Sequence, residues 1–189
     1  DLTPKHDRLF APSGEVRFDI APDGRHVALA LNSTPRPYAV QPNSDIVLVP
    51  TDGSGAITNL TPDNPYGDDY PRFAPDGRSV LYTRVATANS QGELRRLWQH
   101  RLADKRNVPM ATTLDLSIDN PMFTGDGGSV VFLAEQDGQV PLFGLKPDGS
   151  GAASVLFGEG SNSGLDVVNQ RAVFLNEHTG RPPELFAMD

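Results

Sequence analysis

The chain has 189 residues, 24 Asp and Glu against 16 Lys and Arg, a net charge of −8 and no cysteine. An acidic chain without a basic stripe argues against nucleic acid as partner, because phosphate binding needs clustered Lys and Arg. The missing cysteines exclude disulfides and thiolate metal sites, and no apolar run is long enough to insert into a membrane as a helix.

In chain order, residues 1–13 hold Leu2-Thr3-Pro4, a string that returns as Leu60-Thr61-Pro62. They are expected to be the tail of a preceding sheet and a linker. Short apolar runs bounded by Gly, Pro and Asp then follow one another, which is the pattern of strands and turns. A first group of strands is expected at Arg17–Ile20, His26–Leu31, Asp45–Val49 and Ala56–Leu60. A second is expected at Pro71–Phe73, Ser79–Val85, Glu93–Leu102 and Val108–Leu114. A third covers Pro121–Phe123, Ser129–Ala134, Gln139–Leu145 and Ala152–Phe157, and a fourth Leu165–Val167, Arg171–Leu175 and Glu184–Met188. No segment shows the 3.6-residue apolar period of an amphipathic helix.

The groups are copies of one unit. Ala21-Pro22-Asp23-Gly24-Arg25 recurs as Ala74-Pro75-Asp76-Gly77-Arg78 and, eroded, as Thr124-Gly125-Asp126-Gly127-Gly128. The Asp positions lie 53 and 50 residues apart, and a period in that range marks an array of one supersecondary unit. A second turn motif keeps the same register: Thr51-Asp52-Gly53-Ser54-Gly55-Ala56 and Pro147-Asp148-Gly149-Ser150-Gly151-Ala152. Runs such as Val130-Val131-Phe132-Leu133 are apolar on both faces, so their sheets are covered on both sides. Four-stranded antiparallel sheets stacked face to face satisfy this. The expectation is an all-β chain, a partial β-propeller of about four four-stranded blades, truncated at both ends. It forms a single segment with blades at about 14–62, 68–115, 119–158 and 163–189, the last incomplete. Left alone it exposes sheet faces and edges, which leaves self-association into a homo-oligomer open.

The repeat resembles the Pro-Asp-Gly propeller repeat of the periplasmic Tol-system propeller protein and of prolyl oligopeptidase-family serine peptidases. The longer strings are more similar to the second group. They include Asp45-Ile46-Val47-Leu48-Val49-Pro50, Pro71-Arg72-Phe73-Ala74-Pro75-Asp76-Gly77, Phe132-Leu133-Ala134-Glu135 and Arg181-Pro182-Pro183-Glu184-Leu185-Phe186. The resemblance implies a non-catalytic propeller segment that gates the access of peptide substrates to an α/β-hydrolase domain of the same protein. It implies a dipeptidyl- or acylaminoacyl-peptidase type of parent enzyme, needs no cofactor, and favours a periplasmic or secreted home. The family's G-x-S-x-G nucleophile turn is absent; the nearest string, Gly160-Ser161-Asn162-Ser163-Gly164, has Asn162 at the nucleophile position. The alternative is a stand-alone Tol-type scaffold that holds protein partners. A propeller lyase acting on acidic sugars would need a His-rich metal site, and His6, His26, His100 and His178 are scattered.

Within this frame, Asp69, Tyr70 and Arg72 are the first candidates for substrate contact, because they lead into the innermost strand of the second blade. Ser117 and Asp119 hold the matching place before the third. Carboxylates there suit a peptide's free amine. No catalytic residue and no metal ligand is assigned. Asp63, Asp68 and Asp69 read together as a solvated acidic loop. Arg95, Arg96, Arg101, Lys105 and Arg106, the one basic cluster, read as a solvated hairpin. Trp98 is assigned to blade packing. Asp23, Asp76 and Asp126 are assigned to turn structure.

Overall fold

The computed structural model describes residues 2, 17–34, 43–53, 57–87 and 93–189. The Leu2-Thr3-Pro4 echo apart from Leu2, His6, the linker and the Ser54-Gly55-Ala56 end of the first repeated hairpin lie outside the described residues.

The repeated turns set the architecture. The Asp23, Asp76 and Asp126 carboxylates each accept an amide hydrogen bond from two residues on, at Arg25, Arg78 and Gly128, all at 2.9 Å. Gly24, Gly77 and Gly127 take φ values of 70°, 69° and 70° and donate their amides to Ala21, Ala74 and Thr124. Only glycine adopts this left-handed backbone without strain, so the motif forces the chain to reverse. In the fourth copy Asn169 takes the same role at φ 58°, since Asn tolerates that region better than most side chains.

Each turn closes the first hairpin of a meander. The first sheet has β1 (Phe18–Ile20), β2 (His26–Asn32), β3 (Ser44–Pro50) and β4 (Thr58–Asn59). The second has β5 (Asp68–Phe73), β6 (Ser79–Arg84), β7 (Arg96–Arg101) and β8 (Arg106–Pro109). The third has β9 (Ile118–Phe123), β10 (Val130–Ala134), β11 (Leu142–Leu145) and β12 (Ser154–Phe157). The fourth has β13 (Ser161–Val168), β14 (Arg171–His178) and β15 (Arg181–Met188). In every sheet the strands lie in sequence order, and the described pairings are antiparallel. No helix occurs among the described residues, so none is long and apolar enough to cross a membrane. The architecture is a partial β-propeller.

Strand bounds differ from the expectation where Pro or a left-handed residue intervenes. β5 and β9 start earlier than expected because Pro71 and Pro121 sit inside them; an edge strand tolerates the missing donor. β8 ends at Pro109 rather than Leu114 because Ala111 turns the chain with φ 49°. β13 reaches back to Ser161, where the Asn162 amide and side chain donate to the Val140 carbonyl at 3.2 and 2.7 Å.

The chain forms two compact units, Asp1–Glu93 with Trp98–Val108, and Leu94–Leu97 with Pro109–Asp189. In the first, Ala28, Ala30 and Ile46 of one sheet pack with Phe73, Val80 and Tyr82 of the next, with Trp98 against them. In the second, Val131, Leu133 and Leu142 pack with Leu165, Ala172 and Phe174. The Phe157, Phe174 and Phe186 rings meet there at 5.3–6.0 Å. The outer sheet faces stay partly open: Phe18, Ile20 and Leu185 are exposed.

Candidate functional site

The first strands of the second, third and fourth sheets share a defect. On β5 the register shifts between Asp69 and Arg72, with Tyr70 at φ 55°. On β9 it shifts between Asp119 and Met122, with Asn120 at φ 45°. On β13 it shifts between Ser163 and Asp166, with Gly164 at φ 59°. A bulge of this kind turns side chains away from the ladder, and bulges cluster beside binding sites. Gly fits the left-handed region freely and Asn tolerates it, whereas Tyr is strained there by roughly 1–2 kcal/mol.

Arg17 holds the strained turn. Its guanidinium lies 3.6 Å from the centre of the Tyr70 ring and donates to Asp69 Oδ2 at 2.9 Å. The other Asp69 oxygen accepts the Tyr70 amide at 2.8 Å. Arg72 Nη1 reaches the Phe18 carbonyl at 3.4 Å, and the Phe73 amide donates to Asp19 at 2.7 Å, which ties β5 to β1. The structure therefore gathers Asp69, Tyr70 and Arg72 on one bulged strand. In the second unit Ser117 and Asp119 share a different partner. The Arg95 amide donates to Ser117 Oγ at 3.2 Å, and its guanidinium lies 3.5 Å from the Asp119 carboxylate. Both candidate aspartates are thus paired with arginines. Sequence reasoning missed Arg17 altogether and placed Arg95 in a solvated hairpin. The other hairpin arginines are answered locally: Arg96 by Asp115, Arg101 and Arg106 by Asp104.

The reading of Asp63, Asp68 and Asp69 as a solvated loop is overturned at Asp68, whose side chain is 0% exposed. Burial of a carboxylate demands a countercharge. Arg84, itself 8% exposed, supplies it: Nε donates to Asp68 at 3.0 Å, while Nη1 and Nη2 hold Asp63 at 2.9 and 3.1 Å. Asn64 donates to Asp68 at 2.9 Å, and Asn107 bridges Asp63, the Leu60 carbonyl and His100 Nδ1. The guanidinium also lies over Trp98 at 4.6 Å and Tyr82 at 5.4 Å. Burial pushes the Asp68 carboxyl up to about 6, against the pull of Arg84. The bond from Arg84 holds Asp63 below the usual carboxylate range. Burial alone would lower the Arg84 guanidinium, but its bonds to Asp63 and Asp68 raise it further. The knot joins the connection after β4 to β5, β6 and β7. Among the described residues no three His, Asp or Glu come together as a metal site.

No family model matches the chain. Dipeptidyl-peptidase 5 of Porphyromonas gingivalis is 29% identical over 132 residues, covering 69% of this chain and 19% of that protein. Dipeptidyl-peptidase 5 of Aspergillus fumigatus is 30% identical over 141 residues, covering 70% and 20%. The chain thus spans about a fifth of the length of the curated relatives it matches. Among solved structures, the acylaminoacyl peptidase of Pyrococcus horikoshii superposes with a TM-score of 0.68 at 17% identity, over 92% of this chain and 26% of that one. TolB from Acinetobacter baumannii superposes with 0.65 at 14% identity, over 92% and 40%. With meanders of this order and sequence relatives of this kind, the chain is a partial β-propeller similar in sequence to part of the dipeptidyl-peptidases 5.

Proposed function

We propose that this propeller segment restricts which peptides reach a serine hydrolase domain encoded elsewhere in the same polypeptide. The observation that carries the reading is the sequence relationship to two dipeptidyl-peptidases 5, at about 30% identity over more than two thirds of the chain. The chain has no G-x-S-x-G string, so the nucleophile belongs outside it. A likeness to TolB rests on fold alone and weighs less. The reading favours a periplasmic or secreted protein.

The contacts proposed for substrate are Asp69, Tyr70, Arg72, Ser117 and Asp119. What supports them is the pair of bulges that directly follow Asp69 and Asp119 on the first strands of their sheets. Asp69 keeps 31% of its side chain in solvent and Asp119 48%, so each carboxylate reaches an incoming peptide while its arginine holds it in place. Tyr70 adds a flat apolar surface beside Asp69.

A fluorophosphonate probe applied to the full-length protein tests the catalytic part: one serine outside this segment becomes labelled. An unlabelled protein refutes the peptidase reading and leaves the scaffold. With labelling in hand, Asp69→Asn should raise KM for peptides with a free amino terminus several-fold and leave the labelling rate unchanged. Unchanged KM for both Asp69→Asn and Asp119→Asn removes the substrate-contact assignment.

A further inference from the structure

Of the three first-strand bulges, only the one on β5 puts an aromatic residue in the left-handed position. β13 uses Gly164 there and β9 uses Asn120, both of which take that backbone at lower cost. A bulge needs no ring. Tyr70 therefore bears strain that the fold does not require, and strain of this kind gathers where a protein holds a ligand.

What the ring faces supplies the reason. One guanidinium, that of Arg17, stands 3.6 Å from the Tyr70 ring centre and donates from Nη1 to Asp69 Oδ2 at 2.9 Å. A stacked aromatic face together with a carboxylate is the pair of contacts that suits a guanidinium best; an ammonium meets the carboxylate but has no plane to lay on the ring. The carboxylate is aimed by its own strand. Asp69 Oδ1 accepts the Tyr70 amide at 2.8 Å, and the Thr83 hydroxyl donates to the Asp69 carbonyl at 3.3 Å. The corner is also open on one side, since Arg17 keeps 28% of its side chain in solvent. The Arg17 carbonyl accepts the Ala30 amide at 3.2 Å, which holds the backbone in the sheet wherever the side chain lies. Arg84, by contrast, is buried and bonded to two carboxylates, which makes it a fixed structural cation. At the β9 bulge Asn120 has no ring to offer, and Arg95 stands 3.5 Å from Asp119. Only the β5 corner thus joins ring, aimed carboxylate and a solvent-facing cation.

We propose that Asp69 and Tyr70 form a recognition corner for a guanidinium, occupied from within by Arg17 until an arginine side chain of an incoming peptide takes its place. That the guest is a peptide rests on the substrate reading above; that the corner takes a guanidinium does not. Hydrogen exchange on the full-length protein tests the corner with methylguanidinium, methylammonium and neutral methylurea at matched ionic strength. In Arg17→Ala, methylguanidinium should slow exchange at Tyr70 and Arg72 at least about threefold, with half-saturation at roughly 10 mM. Methylammonium should need about tenfold more, and methylurea should have no effect. Adding Asp69→Asn should abolish the response. Arg17→Gln, with a longer neutral stem, replaces Arg17→Ala if that variant unfolds. No response to methylguanidinium up to roughly 100 mM overturns the proposal, as does an equal response to either other probe or one that survives Asp69→Asn. Titration calorimetry then identifies the guest. Arg17→Ala should bind arginylglycine several-fold more tightly than the wild type does and citrullylglycine no more tightly; an equal gain for both refutes the arginine peptide. Both measurements read binding, so a protein that lacks the labelled serine fails the peptidase reading and leaves this outcome to be judged on its own.

Discussion

Replacing Arg84 by Met tests the buried charge knot most directly. Met keeps an unbranched apolar stem beside Trp98 and removes the charge. Asp68 would remain wholly buried beside the uncharged side chains of Asn64, at 2.9 Å, and Thr61, with no countercharge. Stranding one member of a buried pair costs about 3–5 kcal/mol. Loss of the contact to Asp63, half of whose side chain is in solvent, adds less than about 1 kcal/mol, and loss of the Trp98 stacking a similar amount. Trp98, the one tryptophan, reports urea unfolding from inside this cluster. Arg84→Met should therefore lower unfolding free energy at pH 7 by about 3–5 kcal/mol, and Asp68→Asn in the same chain should restore much of it, because a neutral amide needs no countercharge. The pH dependence has a definite sign. The folded Asp68 carboxyl sits at about 6, above its ordinary 3.8, so the native state holds the proton more tightly than the unfolded chain. Its contribution to stability is fully present below about pH 4 and is lost as pH rises through about 6. Asp63 acts in the opposite sense, because Arg84 lowers it: its contribution is present above the ordinary 3.8 and is lost in stronger acid. Asp68→Asn should flatten the slope between about pH 4 and pH 6. A loss below about 1 kcal/mol for Arg84→Met, or no rescue in the double variant, would refute the knot as an obligate charge pair.

Three further outcomes follow from single positions. Tyr82 is fully buried and its hydroxyl has no hydrogen-bond partner among the described residues, so Tyr82→Phe should hold or raise stability, by up to about 1 kcal/mol in urea unfolding. Gly160→Ala forces a Cβ onto the Glu177 carbonyl in a left-handed backbone; thermal melting should show a loss of at least about 1 kcal/mol and a weakened β13 edge by hydrogen exchange. Asp76→Asn keeps an acceptor for the Arg78 amide, so melting should register a loss of at most about 1 kcal/mol, with peptide affinity of the full-length protein unchanged.

The fold was legible because the turns announce themselves. Asp23, Asp76 and Asp126 act over two residues, and Gly24, Gly77 and Gly127 need no tertiary partner to reverse the chain. Such local chemistry survives in a bare sequence, and its even spacing carries the architecture. Strand ends were less legible. Pro71 and Pro121 look like breakers, and only their place on the first, edge strand of each sheet makes them harmless. Blade packing for Trp98 was readable from composition, but the guanidinium above it was not.

The charged sites show why the rest was hidden. Arg17 and Asp69 are 52 residues apart, and Arg84 and Asp63 are 21 apart; each pair meets only after two hairpins have folded. Sequence spacing carries no signal for such pairs, so an acidic run was taken for solvent-facing when one of its members is the most buried carboxylate described. Yet one sign was present. Asp68-Asp69-Tyr70-Pro71 and Ile118-Asp119-Asn120-Pro121 both place Asp, then a residue forced left-handed, then Pro. A Tyr in that backbone is strained unless something holds it, and the holding group must come from a neighbouring strand. Arg17 meets that demand with a ring contact and a carboxylate bond together, whereas Asn120, which strains less, is served by a bond from its own amide to the Leu165 carbonyl at 2.6 Å. The strain at Tyr70 should therefore surface when the clamp goes: Arg17→Met should speed hydrogen exchange at Tyr70 and Arg72 while leaving the Asn120 bulge as it was. Equal protection at both bulges in that variant would mean that β5 holds its shape without Arg17.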